Sequence, residues 1–346
     1  MNQSIDFFSS RLIRWQRQHG RHDLPWQKTR DAYRIWLSEI MLQQTQVATV
    51  IPYYRRFLER FPEVAALAAA PVETVLESWA GLGYYARARN LHRCARMVVA
   101  DHGGQFPGDP RLLAELPGIG RSTAAAISVF AYGTRAAILD GNVKRVVARC
   151  FGIEGFPGAG KTEKEMWALV DSLLPGTEVE AYTQGLMDLG ATVCTRSNPS
   201  CADCPLHDIC VANRDGRQAE LPSARPTKTL PEREASVILL TDGRSVLLER
   251  RPPTGIWGGL LAAPEVVPEA AETFAQGHAC RLLQTSELPP LRHTFSHFRL
   301  TIRPLLCHVE KTGASLGEPG WEWVAIGDMD SAALPAPIRR LLLQMT

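Results

Sequence analysis

Along the first two thirds of the chain, apolar residues recur at three- and four-residue spacing. In the last third they come in short runs. Residues 1–30 predict one amphipathic helix followed by a loop, Leu24-Pro25-Trp26-Gln27. Across residues 31–60, which read as helix throughout, Tyr33, Trp36, Leu37, Ile40 and Met41 fall at i, i+3, i+4, i+7 and i+8, giving one buried face. Residues 63–105 predict two or three further helices around the turn Gly81-Leu82-Gly83-Tyr84-Tyr85. Pro117 then ends a helix, Gly118 and Gly120 make a tight turn, and Ser122 and Thr123 suit the start of an apolar helix. Asp140 stands just before another helix, where a carboxylate caps and stays ionised. Glu163 to Leu174 is amphipathic and helical.

The pattern changes after a stretch rich in Pro, Lys and Arg. Pro222, Pro226 and Pro231 break any helix, so 216–231 reads as a linker between domains at 1–215 and 232–346. Beyond it, Val237 to Leu240 and Val246 to Glu249 are short apolar strands flanking Asp242-Gly243, a hairpin signal. The expected fold is therefore multidomain, with an all-α domain followed by an α+β domain.

The chain's 346 residues are enough for two cores. Its net charge of +2 says little about partners, but the distribution does. Residues 81–150 hold ten Lys/Arg against four Asp/Glu, a local excess suited to a polyanion. The start shows neither a basic n-region nor an apolar h-region, and no apolar run approaches membrane-spanning length, so no membrane partner is expected. Of eight cysteines, four cluster between Cys194 and Cys210, while Cys94, Cys150, Cys280 and Cys307 stand singly. That fits a reducing compartment and one metal centre better than a disulfide framework.

Several stretches carry candidate chemistry. Small backbone at Gly118 and Gly120 lets N–H groups approach an anion at a helix start, and the expected anion is a nucleic-acid phosphate; an ordinary helical corner fits the same residues. Glu39 lies beside the apolar face of its helix. It is either a solvated helix glutamate or a carboxyl whose apolar neighbours raise its pKa. Cys194, Cys201, Cys204 and Cys210 follow Cys-x6-Cys-x2-Cys-x5-Cys, which leaves zinc and an iron–sulfur cluster both open. Arg89, Arg93 and Arg96 share a helix face, and Lys144, Arg145 and Arg149 extend a basic face beyond Asp140. Gly155-x4-Gly160-Lys161-Thr162 matches a phosphate-loop pattern, but no buried strand precedes it, so nucleotide hydrolysis is not expected.

Leu116 to Thr123 resembles the helix-hairpin-helix of the base-excision DNA glycosylases, with Asp140 at that superfamily's aspartate. Leu37-Ser38-Glu39, Met41-Leu42-Gln43-Gln44-Thr45, Gly81 to Tyr85 and the four clustered cysteines extend the likeness to the adenine DNA glycosylases of the MutY type. Pro252 to Leu260 resembles the Nudix fold, yet Glu265, Glu269 and Glu272 do not make the Arg-Glu-x-x-Glu-Glu run that magnesium chemistry needs.

The resemblance implies a helix-hairpin-helix glycosylase domain and a Nudix-like domain that reads 8-oxoguanine. It makes Glu39 the general acid and Asp140 the stabiliser of a sugar cation. Trp26 becomes a wall of the base pocket, and Gln43 or Gln44 fills the gap left by a flipped base. Leu82 and Tyr84 probe the broken pair. Gly118, Gly120, Ser122, Asn142 and Lys144 bind DNA, Asp188 contacts the base, and Arg196 is placed for a phosphate. The four cysteines would hold a [4Fe–4S] cluster, and Phe295, Ser296 and His297 would read the lesion. The implied partner is double-stranded DNA with adenine opposite 8-oxoguanine or guanine, bound by a monomer in the bacterial cytoplasm at the nucleoid. The alternative within the superfamily is an endonuclease III-like pyrimidine-lesion glycosylase and lyase; Ser122 stands where that enzyme's Schiff-base lysine belongs, which implies a monofunctional glycosylase. A Nudix-type nucleotide hydrolase and a non-catalytic DNA-binding protein are the readings from other classes.

Overall fold

The computed structural model describes residues 2–226, 229–253, 255–313, 320–329 and 332–345, with the side chains of residues 2–6 excepted. The chain divides into two compact units, Met1–Ala69 with Asn90–Thr227, and Ala70–Arg89 with Lys228–Thr346. This cut differs from the sequence-based boundaries, because Ala70–Arg89 groups with the later residues.

The helices before the sheet are α1 (Asn2–His19), α2 (Ala32–Leu42), α3 (Val47–Arg60), α4 (Val64–Ala69), α5 (Val72–Ser78), α6 (Ala86–His102), α7 (Pro110–Leu113), α8 (Arg121–Tyr132), α9 (Gly141–Phe151), α10 (Gly160–Leu173), α11 (Val179–Asp188) and α12 (Val211–Arg214). Asp31 caps α2 by accepting from the Tyr33 and Arg34 N–H groups. The apolar stripe of α2 is buried as expected, with Trp36, Leu37 and Met41 fully enclosed; each contributes about 1.5–3 kcal/mol by leaving water. The single helix expected over 31–60 is in fact two. Neither glycine nor proline marks the break; Gln44 adopts a left-handed φ of 57° and turns the chain into α3.

A second core joins α1, α8, α9, α10 and α11 through Phe8, Leu12, Val129, Val147, Met166 and Tyr182. It fixes the start of α9, where Asp140 sits, against the end of α11. The phosphate-loop look-alike is a turn between α9 and α10, with Thr162 buried in the first turn of α10. Among the described residues, no helix is long and apolar enough to cross a membrane.

In the second unit the described residues form one mixed sheet of β1 (Glu232–Thr241), β2 (Ser245–Arg250), β3 (Leu261–Ala262), β4 (Cys280–Glu287), β5 (Leu291–Thr294), β6 (Arg299–Lys311) and β7 (Trp321–Ala325), with α13 (Ala271–Gly277) and α14 (Ala336–Leu342). The order is β3-β2-β1-β6-β4, with β5 also on β6 and β7 also on β2. β1 and β2 form the expected hairpin, Leu240 opposite Leu247. β1 also runs parallel to β6, from Glu232 opposite Arg299 to Thr241 opposite His308. Val237 and Leu239 enter one core and Ile238 and Leu240 the other, so both faces are covered and the strand reads as an unbroken apolar run.

Candidate active site

In the first unit a cavity of about 870 Å3 opens between the loop after α1, α2 and α11. Trp26, Ile35, Glu39, Gln184 and Met187 are among its lining residues. Trp26 is nearly buried and meets Tyr54 edge-on, with ring centroids 5.4 Å apart. It thus stands as a rigid apolar wall of the same cavity that holds Glu39.

Burial, and then the negative charge of Asp140, push the Glu39 carboxyl up to about 8. Both causes act in one direction, so Glu39 holds its proton at neutral pH. Asp140 is the N-cap of α9 and accepts from Val143 N–H at 2.8 Å. Burial holds Asp140 above the ordinary value too, opposed by the Val143 and Asn142 N–H groups and the charges of Arg145 and Lys144, which act to lower it. Of the two, Glu39 is the one that keeps a proton, because both causes acting on it raise it, whereas Asp140 has donors and cations that stabilise its anion. Though the two lie about a hundred positions apart in sequence, Asp140 is thus near enough to raise Glu39 through its charge.

The hairpin that leads to Asp140 is tightly built. Gly118 has φ of 79°, and a Cβ there would lie 2.9 Å from Asn90 Cβ, so both conformation and space demand glycine. Gly120 is the N-cap of α8. Ser122 Oγ accepts from Leu139 N–H at 3.0 Å, which ties the start of α8 to the residue before Asp140. Asn142 is half-buried and accepts from Arg145. Facing it is a π-helical turn, Leu189–Val193, in which Gly190 packs so closely that a Cβ would come within 2.5 Å of Asn142 Cβ.

Gln43 is the C-cap of α2 and half-buried, and Gln44 is exposed in the following turn. Tyr84 is 60% exposed. Leu82, expected beside it as a probe, is buried instead, its N–H bonded to Trp79 O at 3.1 Å. Of Leu82 and Tyr84, the two residues expected to probe, only Tyr84 is thus presented outward, and Leu82 is enclosed.

Asp188 also departs from expectation. Its side chain is wholly enclosed: Arg21 Nε and Gln184 Nε2 donate to one oxygen at 2.7 and 2.8 Å, and Arg21 N–H donates to the other at 2.9 Å. With both oxygens engaged it does not reach into the cavity, and it fixes Arg21 and Gln184, which do line it. The basic face beyond Asp140 is corrected likewise. Lys144 is ion-paired with Glu163 at 2.7 Å. Arg145 donates to Cys194 O and Gly190 O, and Arg149, 3% exposed, donates to Leu221 O, Thr195 O and Arg196 O. These arginines clamp the cysteine loop. The signal that sequence reasoning missed was Arg149 set among Val146, Val147, Ala148 and Cys150, a cation inside an apolar run. Arg196 itself is exposed.

Cys194, Cys201, Cys204 and Cys210 line one small cavity. Arg149 Nη1 lies 3.4 Å from Cys194 Sγ, and Gln218 Nε2 lies 3.9 Å from Cys201 Sγ. N–H donors aimed at sulfur favour thiolates, so the donor set suits a thiolate-bound centre. Among the described residues, no three His, Cys, Asp or Glu side chains form a group that would hold a single metal ion.

In the second unit Phe295 to Phe298 is the tip between β5 and β6, closed by Phe295 N–H on Phe298 O at 2.9 Å. Phe295 is internal to it, stacked on Phe298 at 4.6 Å and edge-on to His293 at 4.6 Å. Ser296 and His297 are exposed. Glu265, one of the scattered glutamates, is ion-paired with Arg251 at 3.1 Å.

Residues 37–172 match the family model of HhH-GPD superfamily base excision DNA repair proteins, and residues 235–344 match that of the NUDIX domain. The adenine DNA glycosylase of Buchnera aphidicola (subsp. Acyrthosiphon pisum) is 34% identical, over 97% of this chain and 96% of that protein. The human adenine DNA glycosylase is 32% identical, over 97% of this chain and 73% of that one. Among solved structures, a thermostable thymine-DNA glycosylase superposes with TM-score 0.56 at 30% identity, covering 62% of this chain and 98% of that one. The chain belongs to the adenine DNA glycosylases, within the helix-hairpin-helix base excision repair superfamily.

Proposed function

We propose that this chain removes adenine from duplex DNA where it is mispaired with 8-oxoguanine or guanine, leaving an abasic site. The observation that carries the reading is Glu39, held protonated in a cavity walled by Trp26, with Asp140 near enough to act on it electrostatically. Adenine hidden in the base stack must be turned out to reach such a cavity. Gln43 and the exposed Gln44, at the end of α2, would fill the space it leaves, Tyr84, exposed in its own unit, would probe the duplex, and Gly118 and Gly120 would present backbone N–H groups to a phosphate.

The chemistry follows from the pair. Glu39 gives its proton to N7 of the extruded adenine, and the C1′–N9 bond breaks with its electrons going to the base. The positive charge left on the sugar is offset by the Asp140 carboxylate. Water adds through oxygen to C1′ and surrenders a proton to a carboxylate, and adenine departs neutral. Cys194, Cys201, Cys204 and Cys210 would hold a [4Fe–4S] cluster, which would take no part in hydrolysis and would fasten the loop that Arg145 and Arg149 grip. Purified protein is expected to be brown, with about four irons per chain; colourless protein with one zinc would overturn that assignment.

Single-turnover adenine release tests the function. Duplexes with 8-oxoguanine opposite adenine are expected to react fastest, guanine next, and thymine not measurably. Equal rates on all three would overturn the mispair reading. So would borohydride trapping of a protein–DNA adduct overturn the monofunctional one, since Ser122 cannot form an imine.

A further inference from the structure

Resting on the reading of Ser296 and His297 as the lesion-reading tip, we infer that Arg89 is a positioning residue for opposite-base specificity, joining the probing turn at Tyr84 to that tip. Both belong to the second compact unit. Arg89 Nη1 donates to Gly258 O at 2.6 Å, and its guanidinium is half-buried. Gly258 follows Trp257, a bulky residue held at φ of 57°. A left-handed backbone is unfavourable for such a side chain and persists only where its surroundings over-determine it. The Trp257 ring lies 6.0 Å from the Phe295 ring, inside the aromatic group on which the tip is built.

At the other end, Arg89 lies in the first turn of α6, which begins directly after Tyr84 and Tyr85. The Arg89 N–H bonds to Tyr85 O at 3.1 Å. The Tyr85 hydroxyl donates to Leu334 O at 3.2 Å, a second tie between the turn and the later residues of the unit. The path from Tyr84 to His297 thus runs through two short polar contacts and one packed ring, with Arg89 at its centre. A duplex engaging the tip and the turn together meets them at a fixed separation, and losing the joint removes that match.

The experiment measures single-turnover rates opposite 8-oxoguanine and opposite guanine for the full chain, for Arg89→Gln, Arg89→Lys and His297→Ala, and for Arg89→Gln combined with His297→Ala. Arg89→Gln is expected to cut the 8-oxoguanine preference about tenfold while leaving the rate opposite guanine within twofold. Arg89→Lys, which keeps a donor, should restore most of the preference. Adding His297→Ala to Arg89→Gln should cost no more than either alone. Loss on both substrates alike, or strictly additive losses, would overturn the inference. A His297→Ala protein with unchanged preference would instead remove the reading of the tip, whatever Arg89 does. Equal thermal midpoints across the set show that folding is not what is being measured.

Discussion

Glu39→Gln is expected to reduce adenine release by about 10³-fold while duplex binding persists, because a general acid in the transition state is worth about 10²–10⁴. The amide keeps the shape of the side chain and has no proton to give. The parent's rate should fall as pH rises through about 8, where Glu39 ionises. Stability gives an independent readout. The folded state keeps a proton up to about 8 that the unfolded chain releases near the ordinary value of 4.5. The folded state therefore binds more protons across that window, and the parent loses stability as pH climbs from 4.5 to 8. Glutamine abolishes this dependence, so the variant should be more stable at neutral pH, on the order of 1–3 kcal/mol in urea titrations. A variant of full activity, or one with the parent's pH–stability curve, would remove Glu39 from the role given to it.

Asp140→Asn should cost about 10²–10³-fold, the scale set by removing a preorganised charge from a developing ion. Asparagine caps a helix as well as aspartate does, so Val143 N–H keeps an acceptor and α9 should be retained. The residual activity carries a second signature. Without the negative charge at 140, one of the two causes that raise Glu39 is gone, so the alkaline limb should move to lower pH. Rates measured from pH 6 to 9 check this; a limb that stays put would mean the two groups do not share a site.

Both carboxyls and the four cysteines were legible in the sequence as candidates, but residue type and spacing left Glu39 open to a solvated face and the cysteines open to zinc, and the resemblance to the glycosylases gave them their roles. Trp26 could equally have been an ordinary core aromatic, and only the resemblance made it a wall of the pocket. Burial was harder. A helix repeat shows which residues share a face and is silent about which face meets a neighbour. Thus Arg149, read as part of a basic surface, is enclosed by the cysteine loop, and Asp188 is sealed by Arg21, a residue 167 positions earlier. Leu82 and Tyr84 sit in one turn, yet only the backbone curl decides which of them faces out. The end of α2 was obscure because it rests on a left-handed glutamine and not on a glycine or proline. In the sheet, β1 begins at Glu232, five residues before its apolar run, since its polar start is carried by pairing with β6 and by Glu234 against Arg303.

The bond from Leu139 N–H to Ser122 Oγ sets a limit on how this enzyme can diverge. A lysine at 122 has no oxygen to accept that N–H, so it would untie the strap that aligns the next residue, Asp140. Any lineage that gains a residue there without an acceptor gives up that alignment, whatever chemistry the new side chain brings.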